Sequence, residues 1–452
     1  MLYEEYLRTV DKYSDELCGI SDYLYDNPET CFGEYKAVEH ITSFLQKEGF
    51  VVERGVAGIP TAFKATFGKG EPRIGVLSEY DALNSMSQVG GACEKLSIDG
   101  VDNVHGCGHN LFAGGSIGAV LAIKSYIMDT GVGSVTLFGC PAEEGGAGKV
   151  FMAREGVFDG IDAVVSHHPE SMYMVRTRPA LANVAVEYIY EGVASHAGAS
   201  PDKGRSALDA VELMNVGVNF LREHMPLTAR IHYAIIDAGG TAPNMVQSHA
   251  VVRYLIRATD NNEVLALKSR VDNIAKGATL MTDTTVTQKT ISAYSSLVTI
   301  PTLQSVANLA MHDIPLPVPS EDEIEYGKKL RLTFNKDADD TPYAMSVLDP
   351  APPVAHGGST DTADVSWVCP TVQMHIGNWV KGTPAHTWQS ASQCRASYAK
   401  KAMLYSSKAV ASTAIRLLEN PDLLVKAKAE HFEKTKGVYN CPIPNDVTPN
   451  IQ

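Results

Sequence analysis

IGVLSEYDAL (74–83), HNLFAGGSIGAVLAIKSYIM (109–128) and SVTLFGC (134–140) together set the expected architecture. The first and third are short apolar runs bounded by polar loops, which suits strands covered on both faces. The second is long enough for a helix, with Asn110 well placed to cap its start. DAVVSHH (162–168) repeats the strand pattern. Strands alternating with helices imply an α/β domain built on a mainly parallel sheet.

Before this core, two helical patterns span roughly 4–25 and 33–48, separated by the turn residues Asn27, Pro28 and Glu29. After it the rhythm changes. NVAVEYIYEG (183–192) reads as a strand, 203–223 as a helix, and TARIHYAIIDA (228–238) and HAVVRYLIRAT (249–259) as strands. A helix over 261–279 and a last strand in TDTTVTQKTIS (282–292) complete the order βαββαβ, the ferredoxin-like arrangement. From about 297 the α/β character returns, ending in a helix over 395–419 and a polar tail. A chain of 452 residues exceeds what one core usually serves, so two domains are expected. Residues 1–179 and 297–452 form the catalytic domain and 180–296 an inserted dimerisation or lid domain.

The net charge of -14 argues against a nucleic-acid or anionic-membrane surface. No run approaches the ~18–20 apolar residues of a spanning helix. The acidic, amphipathic start MLYEEYLRTVDKYSDEL is unlike a signal peptide. Eight cysteines without paired spacing are unlike a disulfide framework. Together these point to the cytoplasm.

Asp81, Glu143, Glu144 and His168 fall just past the carboxyl ends of expected strands, and Cys107 and His109 lie in the loop entering a helix. Ligand crevices form at that edge of an open α/β sheet. His105-Gly106-Cys107-Gly108-His109-Asn110 offers a thiol and two imidazoles, which suit zinc and other transition ions. The competing reading is a glycine-rich helix entry with a buried cysteine. In Pro141-Ala142-Glu143-Glu144-Gly145-Gly146, one acid can ligate a metal while its neighbour moves protons, or both can sit on a surface loop. His168 and His386 taken alone read as ligands or as packing residues.

In their order, EYDAL, HGCGHN, CPAEEGG, the histidine before Pro169, SHAGASPDKGRSALDA, GGTAPN, GGSTDTADVSWV and TPAHTW resemble the amidohydrolase branch of the aminoacylase and carboxypeptidase metallopeptidases. The likeness is greatest to its aminobenzoyl-glutamate subgroup. The resemblance implies a metal-dependent amidohydrolase acting on an N-acyl or N-aroyl amino acid, with two divalent metal ions, zinc or manganese. It implies Cys107, His109, Glu144, His168 and His386 as metal ligands, Glu143 as general base and Asp81 as the residue orienting a ligand. His167 is the alternative to His168. His196 is implied as a transition-state stabiliser reaching a neighbouring subunit, and Asn244 and Arg257 as substrate anchors. Ser359 and Thr360, with His356 and Asp361 nearby, are candidates to line the pocket. A homodimer is expected, with a sister subunit as a further partner and neither nucleic acid nor membrane. Asn110 stands where many relatives have aspartate, and Asn84 where they have proline. A dipeptidase, a non-catalytic ligand-binding subunit and a structural zinc site are the competing readings. Glu143 and all five ligand positions are present, which the second would not require, and the third prefers closed sets of four Cys and His.

Overall fold

The computed structural model describes residues 3–335, 340–350 and 358–451. Its larger sheet has seven strands, and the four central ones, Ser134–Cys140, Arg73–Glu79, Ala163–Glu170 and Thr371–Gly377, run parallel. Antiparallel strands extend both edges: Phe63–Gly68 and Val51–Arg54 beside Ser134–Cys140, and Met174–Val175 beside Thr371–Gly377. Every residue of Ser134–Cys140 is buried, as a strand covered on both faces requires. Parallel strands all end at the same edge, so loops distant in sequence meet there.

One face is covered by the helix His109–Thr130, which packs along Ser397–Glu419. By length and composition His109–Thr130 is apolar enough to cross a membrane, contrary to the expectation from sequence, but 83% of its most apolar window is buried inside the protein. It is apolar all round because it is a core helix. Its approach to Ser397–Glu419 depends on glycine. A Cβ on Gly118 would lie 2.5 Å from Ser407 Oγ and 2.9 Å from Leu17 Cδ1.

A second, four-stranded sheet is fully antiparallel, in the order Arg230–Asp237, His249–Ala258, Ala182–Glu191, Thr285–Tyr294. With helices Ala207–Arg222 and Asn261–Thr282 this is the expected βαββαβ arrangement. Both helices begin at side-chain caps, Ser206 accepting from the Asp209 amide and Asp260 from that of Glu263. Tyr188, Tyr190 and Tyr254 are buried between sheet and helices, whereas the edge strand Arg230–Asp237 is largely exposed.

Three local expectations are corrected. The helical pattern over 4–25 is two helices, Glu4–Lys12 and Ser14–Asp26, with Tyr13 at their junction. Asn110 does not cap its helix: Gly108, at φ 82°, holds that position. The Asn110 side chain instead donates to Ser21 Oγ at 3.0 Å and to the Cys394 carbonyl at 2.9 Å. The strand expected to end at His168 runs on to Glu170.

Gly118→Val should therefore cost about 1–3 kcal/mol by overpacking, read as a lowered thermal unfolding midpoint. A midpoint equal to that of the parent chain would show that the two helices separate freely.

Candidate metal and catalytic site

Strand geometry brings the acids together. Glu79 ends Arg73–Glu79 and Asp81 follows it, while Glu143 and Glu144 follow the adjacent strand Ser134–Cys140. Cys107 and His109 flank Gly108, whose positive φ turns the chain into the helix. A Cβ there would meet Pro169 Cβ at 2.9 Å, so only glycine lets this turn lie against the strand that carries His168. His386, at φ 57°, lies in the loop before the short helix Trp388–Gln393.

The five expected ligands fall into two triads that share Cys107. The donor atoms of Cys107, His109 and His168 lie within 4.8 Å of one another, and so do those of Cys107, Glu144 and His386. Cys107 Sγ is 3.5 Å from His168 Nε2, and His386 Nε2 is 3.4 Å from Glu144 Oε2. Asp81 ties the two triads together. One carboxylate oxygen is 2.8 Å from His109 Nδ1, and the other accepts from the Glu144 amide at 2.8 Å. His168 Nδ1 lies 2.8 Å from the Pro169 carbonyl. Both imidazoles thus have Nδ1 committed to an acceptor, leaving Nε2 available for a ligand. His167, the alternative, points to the opposite face of its strand. Its ring lies 4.6 Å from that of Phe112, and its Nε2 is 3.3 Å from Ser116 Oγ.

Like charges crowd this site. Burial pushes Glu144 up to about 7, and burial with the charges of Glu79, Asp361 and Glu144 drives Glu143 well above the usual carboxylate range. Burial and the charge of Glu144 raise the Cys107 thiol, and burial takes His168 down to about 4. Burial opposes a charged His109, but Asp81 and Cys107 outweigh it and raise its pKa. Glu144 Oε1 is buried without a hydrogen-bond partner, and Glu79 Oε2 and His109 Nε2, buried 3.1 Å apart, make no hydrogen bond. Orphaned donor atoms of this kind, with thiolate, imidazole and carboxylate in reach, fit divalent metal ions.

The sequence reading missed Lys149 behind this cluster and took Asp361, which is fully buried and outside the cavity lining, for a pocket residue. Lys149 is fully buried on the apolar helix Gly148–Arg154, with Nζ 2.8 Å from Glu79 Oε1 and also bonded to Asp361. Its backbone amide donates to Asp361 Oδ2 at 2.9 Å. The far oxygen of Glu79 stands 3.1 Å from His109 Nε2. The available signal was a lone lysine in the apolar run GKVFMAR after a glycine turn.

The cluster opens into a cavity of about 890 Å³. Of the expected substrate residues, Arg257, Ser359 and Thr360 line it, and Arg257 Nη1 is 3.4 Å from Ser359 Oγ. His196 and Asn244 lie outside that lining. They sit on adjoining exposed loops, where the Ala197 amide donates to the Asn244 carbonyl at 2.9 Å and His196 bridges Met245. His356 falls outside the described residues. Lys149→Met would leave Glu79 and Asp361 buried without their cation, a change expected to cost about 3–5 kcal/mol. Thermal unfolding measures it, and an unshifted midpoint would show that the three groups are not coupled.

Comparison with known proteins gives the family. Residues 75–330, more than half of the chain, match the model of peptidase family M20/M25/M40. The chain is 41% identical to one of the subunits of p-aminobenzoyl-glutamate hydrolase from Escherichia coli (strain K12), over 97% of this chain and 96% of that one. It is 30% identical to the Xaa-Arg dipeptidase of Mus musculus, over 93% and 90%. Among solved structures, a dinuclear metal-binding peptidase of the M20 family from Bacillus subtilis superposes with a TM-score of 0.60 at 17% identity, covering 90% of this chain and 99% of that one. The chain belongs to peptidase family M20/M25/M40.

Proposed function

We propose that this metal-dependent amidohydrolase cleaves the amide bond of an N-aroyl or N-acyl amino acid of the p-aminobenzoyl-glutamate kind, with Glu143 as general base. The observation that carries the reading is the pair of donor triads sharing Cys107, with Glu143 beside them at the end of a cavity large enough for such a substrate. The relative matched nearly end to end is named for that hydrolysis.

In this reading Cys107, His109 and His168, and Cys107, Glu144 and His386, would hold two divalent ions, zinc or manganese. The ions would supply Lewis-acid polarisation of the substrate carbonyl and a more acidic water. Glu143 takes a proton from the attacking water as its oxygen bonds to the carbonyl carbon. It then passes that proton to the amide nitrogen as the C–N bond breaks, releasing a carboxylic acid and the amine of an amino acid. Asp81 fixes the ring of His109 and the backbone of Glu144, so the two triads keep their relative placement. Arg257 holds the substrate carboxylate in a fork, with Ser359 and Thr360 beside it.

His196 and Asn244 serve the cavity of a second copy, which accords with their place outside their own chain's cavity. The exposed edge strand Arg230–Asp237 and the exposed Val216 and Phe220 on the neighbouring helix suit a homodimer interface. The same reading divides the chain at 179/180 and 296/297. It places the protein in the cytoplasm, in keeping with eight cysteines that are all free thiols. Two alternatives have specific support. The mouse relative is a dipeptidase, and the bacterial one is named as a subunit, which favours a sister chain.

The test is hydrolysis of a panel of N-acyl and N-aroyl amino acids and dipeptides by metal-stripped protein resupplied with zinc or manganese. Turnover should return with metal, and Glu143→Gln should lower kcat by about 10²–10⁴-fold while the ions still bind. Absence of turnover on every substrate, with ions bound, would identify a ligand-binding subunit instead.

A further inference from the structure

We infer that Arg176, braced by Gln373, is an anion subsite that selects a leaving amino acid carrying a side-chain carboxylate. The inference rests on the hydrolytic reading of the cavity and deepens it.

Strand register places these residues. His168 pairs with His375 on the neighbouring parallel strand. Two residues earlier on that strand, and so on the same face, is Gln373. Across the antiparallel edge Met174 lies opposite His375, and the Arg176 amide donates to the Gln373 carbonyl at 2.9 Å. His168, His375, Gln373, Met174 and Arg176 thus make one continuous floor, and all five line the cavity. Neighbouring strands lie ~4.8 Å apart, so Arg176 stands ~10 Å to the side of the strand bearing His168. That is the distance of a substrate's outlying group, not of its reacting carbon.

The guanidinium is short of partners. Nη1 donates to Gln373 Oε1 at 2.7 Å, its one side-chain hydrogen bond among the described residues. Among those residues no carboxylate forms an ion pair with it, although Glu170 and Asp349 line the same cavity. A guanidinium has five N–H donors, so the half-buried Arg176 keeps donors for a ligand, while Glu170 acts on its charge without reaching ion-pair distance. With Oε1 committed, the Gln373 side chain keeps Nε2 as a further donor on this wall. Met172 and Met174 flank the pair with apolar surface suited to a methylene arm. A short apolar arm ending in a carboxylate satisfies every one of these groups. The guanidinium of an arginine leaving group would meet the charge of Arg176 instead, so the subsite separates the two substrate classes for which the relatives are named. The α-carboxylate remains with Arg257, on the inserted sheet.

The test compares p-aminobenzoyl-glutamate with p-aminobenzoyl-glutamine in the metal-loaded enzyme, and the binding of glutamate with that of glutamine by calorimetry. The parent chain should favour the acid by about 10–100-fold in kcat/KM, carried by KM, and by a similar factor in affinity. Arg176→Met should reduce both ratios to near one, and Arg176→Lys should restore part of each. A parent chain that treats acid and amide alike, or an Arg176→Met ratio equal to the parent's, overturns the inference while leaving the hydrolase reading intact. Glutamate binding that depends on Arg176 in a protein that hydrolyses nothing upholds the subsite and defeats the hydrolase reading.

Discussion

Asp81 accepts from the ring of His109 with one carboxylate oxygen and from the backbone of Glu144 with the other. Those two bonds join the loop after one strand, the start of a core helix and the loop after a second strand. Without them the Cys107–His109–His168 and Cys107–Glu144–His386 triads would be joined only through Cys107. Fixing His109 through Nδ1 also settles which nitrogen is left for a metal, so the second partner determines what the first can do. The carboxylate is fully buried and fully used, the condition under which a buried charge rigidifies a site.

Charge is balanced across several groups rather than within pairs. Glu79, Asp81, Glu143, Glu144 and Asp361 converge on the volume that Lys149 enters. Lys149 pairs with Glu79 and Asp361, while the second oxygen of Glu79 stands beside His109, which Asp81 holds at its other nitrogen. A divalent cation reverses the local pKa logic, because it favours the ionised thiol and carboxylates that burial otherwise suppresses. Farther along the floor the sign changes: Arg176, Arg178 and Arg257 line the cavity. One chamber therefore offers thiol, imidazole and carboxylate donors around Cys107 and three arginines elsewhere in its lining, with Glu170 and Asp349 among them. This arrangement suits a substrate with a reacting carbonyl at one end and carboxylates at the other.

Much of this is legible in the residues themselves. The strand and helix rhythm of 74–83, 109–128 and 134–140 describes the core, and the βαββαβ order of the second sheet follows from alternation alone. The loops at strand ends carry the candidate ligands because a parallel sheet leaves them no other common edge. His168 was separable from His167 only in three dimensions, since neighbours on a strand face opposite sides and the register determines which side holds the site. Asn110 looked like a cap because its residue type favours one, yet Gly108 takes that position and the asparagine is spent on Ser21 and Cys394.

The architecture, the order of the motifs and the types of donor present can be read from the residues alone, because they depend on local periodicity and side-chain chemistry. Packing was needed to show that Cys107 is common to both triads, that Lys149 stands behind Glu79 and Asp361, and that Arg176 meets Gln373 across a strand edge. It also placed His196 and Asn244 on exposed loops away from the cavity. Each of these depends on strand register or on contacts between residues tens to hundreds of positions apart. Such contacts arise only when the whole chain is packed, and no local pattern encodes them.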